Sequence, residues 1–190
     1  MTRQELEHAI RAACGVSGDD EVYVFGSQAI LGQYPDASAP LRQSAEADTA
    51  PVTAVDMVDV IDAHLGELSP FHDAFGFYVH GVSIDAAVLP RGWRSGQSQC
   101  GTTTQGTIQD GCVEAHDLAV SKLIAFRDKD RAFVRILLAD ALINAETLRR
   151  RINQLPAHPR VTRPLLEAIK GWLDGVLKDV RSHRSRRPSR

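Results

Sequence analysis

The apolar run Glu21-Val-Tyr-Val-Phe25 stops abruptly at Gly26-Ser27, and Gln28 to Gln33 continues at once in a helical pattern. A run that short, rich in β-branched and aromatic residues, reads as a buried strand. A strand that turns through Gly-Ser into a helix leaves backbone N–H groups and a hydroxyl pointing outward, a corner that suits a phosphate. The same residues also make a plain tight turn, with Gly26 as the flexible point and Ser27 as the helix N-cap. The motif alone leaves both readings open.

The surrounding chain predicts how such a corner is framed. Thr2 and Glu5 form a capping-box pattern ahead of Leu6, Ile10 and Ala13, which predicts a helix ending near Gly15. Residues 35–40, with two prolines, are a loop, and Ser44 to Pro51 reads as a strand with an acidic side. Val55, Val58, Ile61, Leu65 and Leu68 recur at helical spacing, and Ser69-Pro70 is expected to stop that helix. Gly76 to Gly81 and Ser83 to Pro90 read as a hairpin turning near Gly81. Residues 96–110 are polar and Gly-rich, an expected mobile loop, before a short strand at Cys112 to Glu114.

Beyond that point four helical patterns follow, Leu118 to Asp128, Arg131 to Leu142, Ala145 to Leu155 and Pro164 to Val180, with Asp117 and Asn144 as expected caps. The order predicts an α+β fold: a small mixed sheet flanked by helices, followed by a helical C-terminal half. The expected division is an α/β core over residues 1–115, a helical part packed on it over 116–180, and a basic disordered tail over 181–190.

With 190 residues and a net charge of -2, the chain suits one ordinary domain and gives no electrostatic reason to expect a nucleic-acid or membrane partner for its body. The last ten residues differ, carrying five arginines and no acid, and such a tail can touch RNA or DNA through phosphates. Cys14, Cys100 and Cys112 have no metal-ligand spacing and suggest no disulfide framework, which fits a reducing cytoplasm. No signal-peptide pattern and no run approaching about 18 apolar residues is present.

Chemistry concentrates in a few places. Glu46 and Asp48, two apart on a strand, share one face about 7 Å apart and can converge on Mg²⁺. Four acid-x-acid triplets occur in this acidic chain, so position singles this one out: it lies on the strand that follows the Gly-Ser corner. Lys122 sits among apolar residues in a helical pattern, either a point cation for phosphate or a stem lying along the core. Asp85 interrupts an apolar strand pattern, as an edge residue or as a functional carboxylate. Arg127-Asp-Lys-Asp130 reads as a solvated charge run. His72, His80 and His116 share no metal-ligand spacing, and each is expected in a structural or surface role.

The combination of Gly26-Ser27, Glu46-Ala-Asp48 and His116-Asp-Leu-Ala-Val-Ser-Lys-Leu-Ile-Ala-Phe-Arg-Asp-Lys-Asp130 resembles the nucleotidyltransferase-like proteins of the polymerase-β superfamily. Within it, the chain looks most like small bacterial domains akin to the AbiEii-type toxin nucleotidyltransferases, over about Glu21 to Leu142. It departs from that pattern in the long interval between Ser27 and Glu46 and in having Glu as the first metal acid. The resemblance implies Gly26 and Ser27 for phosphate, Glu46 and Asp48 for Mg²⁺ or Mn²⁺, Asp85 as third acid, and Lys122 with Asp130 as later nucleotide-site residues. The implied activity is transfer of a nucleoside monophosphate from a nucleoside triphosphate, such as ATP, to a protein, an RNA such as tRNA, or a small molecule. It also implies a toxin held in check by an antitoxin-like partner protein. The alternative is a catalytically inactive nucleotidyltransferase fold that binds a nucleotide or a protein.

Overall fold

The computed structural model describes residues 1–99 and 111–185. Thr2 caps α1 (Arg3–Ser17) with both halves of the capping box in place, and the helix runs past the expected Gly15 to a left-handed cap at Gly18. β1 (Val22–Phe25) leads through Gly26 into a 3₁₀ turn and the short α2 (Ile30–Gln33). β2 (Glu46–Pro51) runs antiparallel to β1, and β3 (Tyr78–Gly81) runs parallel to β2. β5 (Gly111–Cys112) lies parallel to β1 on its other side, and β4 (Ser98–Gln99) is antiparallel to β5. The result is an α+β fold with a five-stranded mixed sheet in the order β3-β2-β1-β5-β4.

β2 and β3 are joined by α3 (Val58–Leu65) and α4 (Pro70–Phe75). The predicted helix is therefore shorter than expected, and a second helix follows it. α3 stops at Gly66, and Val55 and Leu68, counted into the apolar stripe, are 65% and 83% exposed. Ser69-Pro70, expected as a stop, is a start: the Ser69 hydroxyl accepts the His72 N–H, and proline fills the first turn where no donor is needed.

The predicted hairpin at Gly76 to Pro90 does not form. After β3 the chain enters a 3₁₀ turn at Ile84–Ala86, because the Ser83 hydroxyl takes the Asp85 N–H and offers the backbone a local alternative to a strand. Val113, in the expected strand over 112–114, still donates its N–H to Val24. The expected mobile loop of 96–110 begins instead with a 3₁₀ turn ending at Gly96 and with β4, and residues 100–110 lie outside the described residues. Cys112 takes part in a disulfide, which corrects the expectation drawn from the odd cysteine count.

The helical half is α5 (Ala115–Ala125), α6 (Asp128–Ala139), α7 (Ala145–Ile152) and α8 (Arg163–Ser185). α8 runs five residues into the tail expected to be disordered, and residues 186–190 lie outside the described residues. Asn144 caps α7 as expected, accepting from Glu146 and Thr147. Asp117 does not cap α5; Glu114 does, and Asp117 lies buried one turn in, gripped by two N–H groups of Arg151 from α7. α5 is apolar nearly all round and is buried accordingly, with Leu118, Ala119, Val120 and Leu123 at 1% exposure or less. One apolar cluster runs from α1 through the sheet to α8. Among the described residues no helix is long and apolar enough to cross a membrane.

Two charged contacts hold this frame. Asp19, in the turn after α1, accepts N–H bonds from Thr53, Ala54 and Glu21 and so ties the start of β1 to the end of β2. Burial alone raises its carboxyl pKa, but the three backbone donors outweigh burial and hold it below the ordinary 3.8. A depressed folded pKa means stability that is complete above 3.8 and lost as pH falls through the lower folded value. Urea midpoints followed into the acid range are expected to show that loss, and Asp19→Asn is expected to remove its share of it. Arg151→Met leaves Asp117 buried without its two donors and is expected to cost about 3 kcal/mol, read as a lower urea midpoint at unchanged m-value.

Candidate functional site

Strand alternation sorts β2 into two faces. Ala47 and Thr49 are fully buried, and Glu46 and Asp48 point to the opposite, partly open side. The β1–β2 register sets Phe25 opposite Asp48, which brings the Asp48 side chain over Gly26. A Cβ built on Gly26 would lie 1.8 Å from Asp48 Oδ2, and the backbone there has φ +75°. Glycine is thus required twice, for the positive-φ backbone and for the space that the carboxylate occupies.

Ser27 does not cap the turn it begins; no side-chain cap bond is made there. Its hydroxyl instead accepts from Lys122 Nζ on α5 at 2.9 Å. The plain-turn reading of Gly26-Ser27 therefore accounts for the glycine's φ and not for the serine. Lys122 also lies 3.6 Å from Asp130 Oδ1 and over the Phe133 ring. Burial pulls its ammonium pKa down from the ordinary value, with Asp130 and Asp48 opposing the shift.

α5 ends at Phe126 in a left-handed conformation, and α6 starts two residues later, so the corner folds Asp130 back against Lys122. Arg127 Nε donates to Asp130 Oδ2 at 2.6 Å, and this bond raises the Arg127 pKa. The supposed solvated run is accordingly split. Arg127, Lys129 and Asp130 line the cleft, and Asp128 is exposed and pairs with Arg131. Asp130, expected in the nucleotide site, is 1% exposed and acts by orienting the two cations.

The third group beside Glu46 and Asp48 is His80. Parallel pairing sets Asp48 opposite His80, and His80 Nδ1 lies 3.2 Å from both Glu46 Oε1 and Asp48 Oδ1. One ligand atom from each of the three side chains falls within 4.8 Å of the others. Burial, then the neighbouring Asp48, raises the Glu46 carboxyl pKa above 4.5. Donors of this kind and spacing can hold a divalent cation.

Asp85, expected as the third acid, is not there. It is exposed in the 3₁₀ turn after β3 and lines neither side of the cleft. The expected hairpin would have aimed it inward; without that strand the place falls to His80, one strand position across from Asp48. The expected structural roles hold for the other two histidines. His72 accepts the Leu68 N–H, and His116 joins Glu114 to the Asn144 N–H. Nothing in the local spacing of His80 marks it out, and only the pairing of β2 with β3 could have found it.

Two hollows meet at this cluster and share Asp48, His80, Lys122, Arg127 and Asp130. The first, about 630 Å³, adds Ser27, Glu46 and Lys129 and is walled by Leu41, Phe133 and Ile136. The second, about 480 Å³, adds Gly26, Ser121 and Arg160 and is otherwise apolar, with Phe25, Val88 and Leu118 among its walls. A separate hollow of about 580 Å³ between α7 and α8 contains neither a histidine nor a pair of carboxylates.

Gly26→Ala is expected to displace Asp48 and to cost more than the 1–2 kcal/mol or so of a left-handed alanine, because φ +75° with ψ -167° is a conformation that essentially only glycine adopts. Gly18→Ala, at φ +70° with nothing within 4 Å, is the control that loses only the backbone part. Thermal melts with and without Mn²⁺ check both, with metal-dependent stabilisation lost in Gly26→Ala alone. The chain matches no family model, no curated protein and no solved structure, so the reading of this site rests on its own geometry.

Proposed function

We propose that the chain is a divalent-cation-dependent nucleotidyltransferase that moves a nucleoside monophosphate from a nucleoside triphosphate to an acceptor hydroxyl, with pyrophosphate leaving. The observation that carries this reading is the meeting of Glu46 and Asp48 with the Gly26-Ser27 turn, where Lys122 is already bonded to Ser27. Acids alone or a Gly-Ser turn alone would not argue for phosphoryl chemistry; a candidate cation site sharing one cleft with a hydroxyl and a half-buried lysine does.

Each residue then has a part. Glu46, Asp48 and His80 would hold the cation, which supplies charge neutralisation at the transferring phosphate when bound. Ser27, Lys122 and Lys129 face the hollow that suits the triphosphate. A triphosphate placed there favours the charged form of Lys122, whose ammonium is kept in position by Asp130. Arg127, fixed by its bonds to Asp130, adds a second cation at the divide between the hollows.

The second hollow is the acceptor side. Arg160 is the one cation it adds, and most of its remaining wall is apolar. A polyanionic strand needs several phosphate contacts, whereas a hydroxyl on an apolar body buries itself against such a wall. This favours a protein side chain or a small molecule over RNA as acceptor. A role as a toxin answered by an antitoxin-like protein rests on the family resemblance alone.

One observation favours the second reading, a fold that binds a nucleotide without turning it over: the third position holds an imidazole where three carboxylates were expected. Incubation with each α-labelled nucleoside triphosphate, Mg²⁺ or Mn²⁺ and cell lysate separates the two. Transfer of label that falls by about 100-fold or more in Asp48→Asn supports the transferase, a loss of the size that charged transition-state groups carry. Saturable nucleotide binding with no Asp48-dependent label in any product supports the binding module and overturns the enzyme.

A further inference from the structure

The register that replaces the expected third acid with a histidine bears on the choice of metal. Glu46 and Asp48 offer hard carboxylate oxygens, and His80 offers an imidazole nitrogen at 3.2 Å from one oxygen of each. All three groups are only partly buried, with side-chain exposures of 36%, 24% and 42%, so an ion can reach them. Two cations of the cleft are bonded to other groups, Lys122 to Ser27 and Arg127 to Asp130. Gly26, lacking a Cβ, leaves the volume in which the Asp48 carboxylate stands.

Mg²⁺ takes oxygen donors in a tight octahedron and gives up water reluctantly, so a nitrogen in its inner shell is a poor match. First-row transition ions accept imidazole readily, and among them Mn²⁺ is also at home with carboxylates. We propose that His80 is a direct ligand of the Glu46/Asp48 centre and makes it select Mn²⁺ over Mg²⁺. The inference rests on reading the three side chains as the cation site of the proposed transferase. It goes beyond that reading by assigning the metal and the residue that chooses it.

The test uses the whole chain and the metals alone, without nucleotide. Mn²⁺ binding is followed by the electron paramagnetic resonance signal of the free ion, and Mg²⁺ by its competition with Mn²⁺. Loss of an outer-shell partner already costs about 10–100-fold in metal affinity, so His80→Ala is expected to weaken Mn²⁺ by at least about tenfold and to leave Mg²⁺ little changed. His80→Asp is expected to tighten Mg²⁺ and erase the preference. In the unsubstituted chain, Mn²⁺ is expected to broaden the ring resonances of His80 ahead of those of His72 and His116. Melting temperatures in chelator confirm that both variants fold, which the exposure of His80 favours.

Equal loss of both metals in His80→Ala, or loss of neither, overturns the proposal, as does an unaltered metal preference in His80→Asp. The outcome is separable from that of the transferase. Selective Mn²⁺ binding that depends on His80, without nucleotidyl transfer, sinks the function and leaves the metal assignment standing. Asp48-dependent transfer in a protein whose Mn²⁺ affinity and metal preference are unaltered by His80→Ala does the reverse.

Discussion

The contact between the Asp48 carboxylate and the bare backbone of Gly26 fixes the geometry of the cleft. It is a consequence of the β1–β2 register: with Phe25 paired to Asp48, the side chain of the second strand passes over the turn that ends the first. A slip of one residue would turn Asp48 and Glu46 into the core and bring Ala47 and Thr49 to the cleft. The register is held from the other end of the strands by Asp19, whose carboxylate gathers the backbone N–H groups of Thr53 and Ala54. The candidate site thus depends on a hydrogen-bonded turn at the opposite end of the same strand pair.

Around that contact the molecule places its charges in pairs that face one another across elements. Asp130 on α6 orients Lys122 and Arg127, and Asp117 on α5 is held by Arg151 of α7. These pairs join α5 to the helices on either side of it. α5 itself is held in place by apolar burial, so the lysine it carries to Ser27 sits on a rigid element. A cation presented from such a helix is preorganised and loses little rotamer freedom when an anion arrives.

The division of the cleft into two hollows follows from the same arrangement. Asp48, His80 and the Lys122–Asp130–Arg127 group line both of them, so whatever binds on one side meets what binds on the other at those residues. The first hollow is more polar and holds the hydroxyl and the additional lysine. The second is largely apolar. Two hollows of different chemistry at a charged divide are what joins the fold to the proposed activity.

The amino-acid sequence by itself determined most of the local elements and half of the candidate site. The capped first helix, the short strand ending in Gly-Ser, the acidic face of β2 and the helical half all follow from residue type and periodicity, which act within a few residues. Glu46, Asp48, Ser27 and Lys122 were legible for the same reason. Tertiary structure decided the rest. Leu68 and Val55 matched a helical stripe that the fold leaves exposed, whereas the Ser83 turn that replaced the hairpin and the helix start at Ser69-Pro70 are local features. His80 entered the site through pairing between strands separated by two helices, and Arg127 through the left-handed corner at Phe126. Such partners are set by which strand lies beside which, a long-range choice made by burial of the whole core, and no local pattern encodes it.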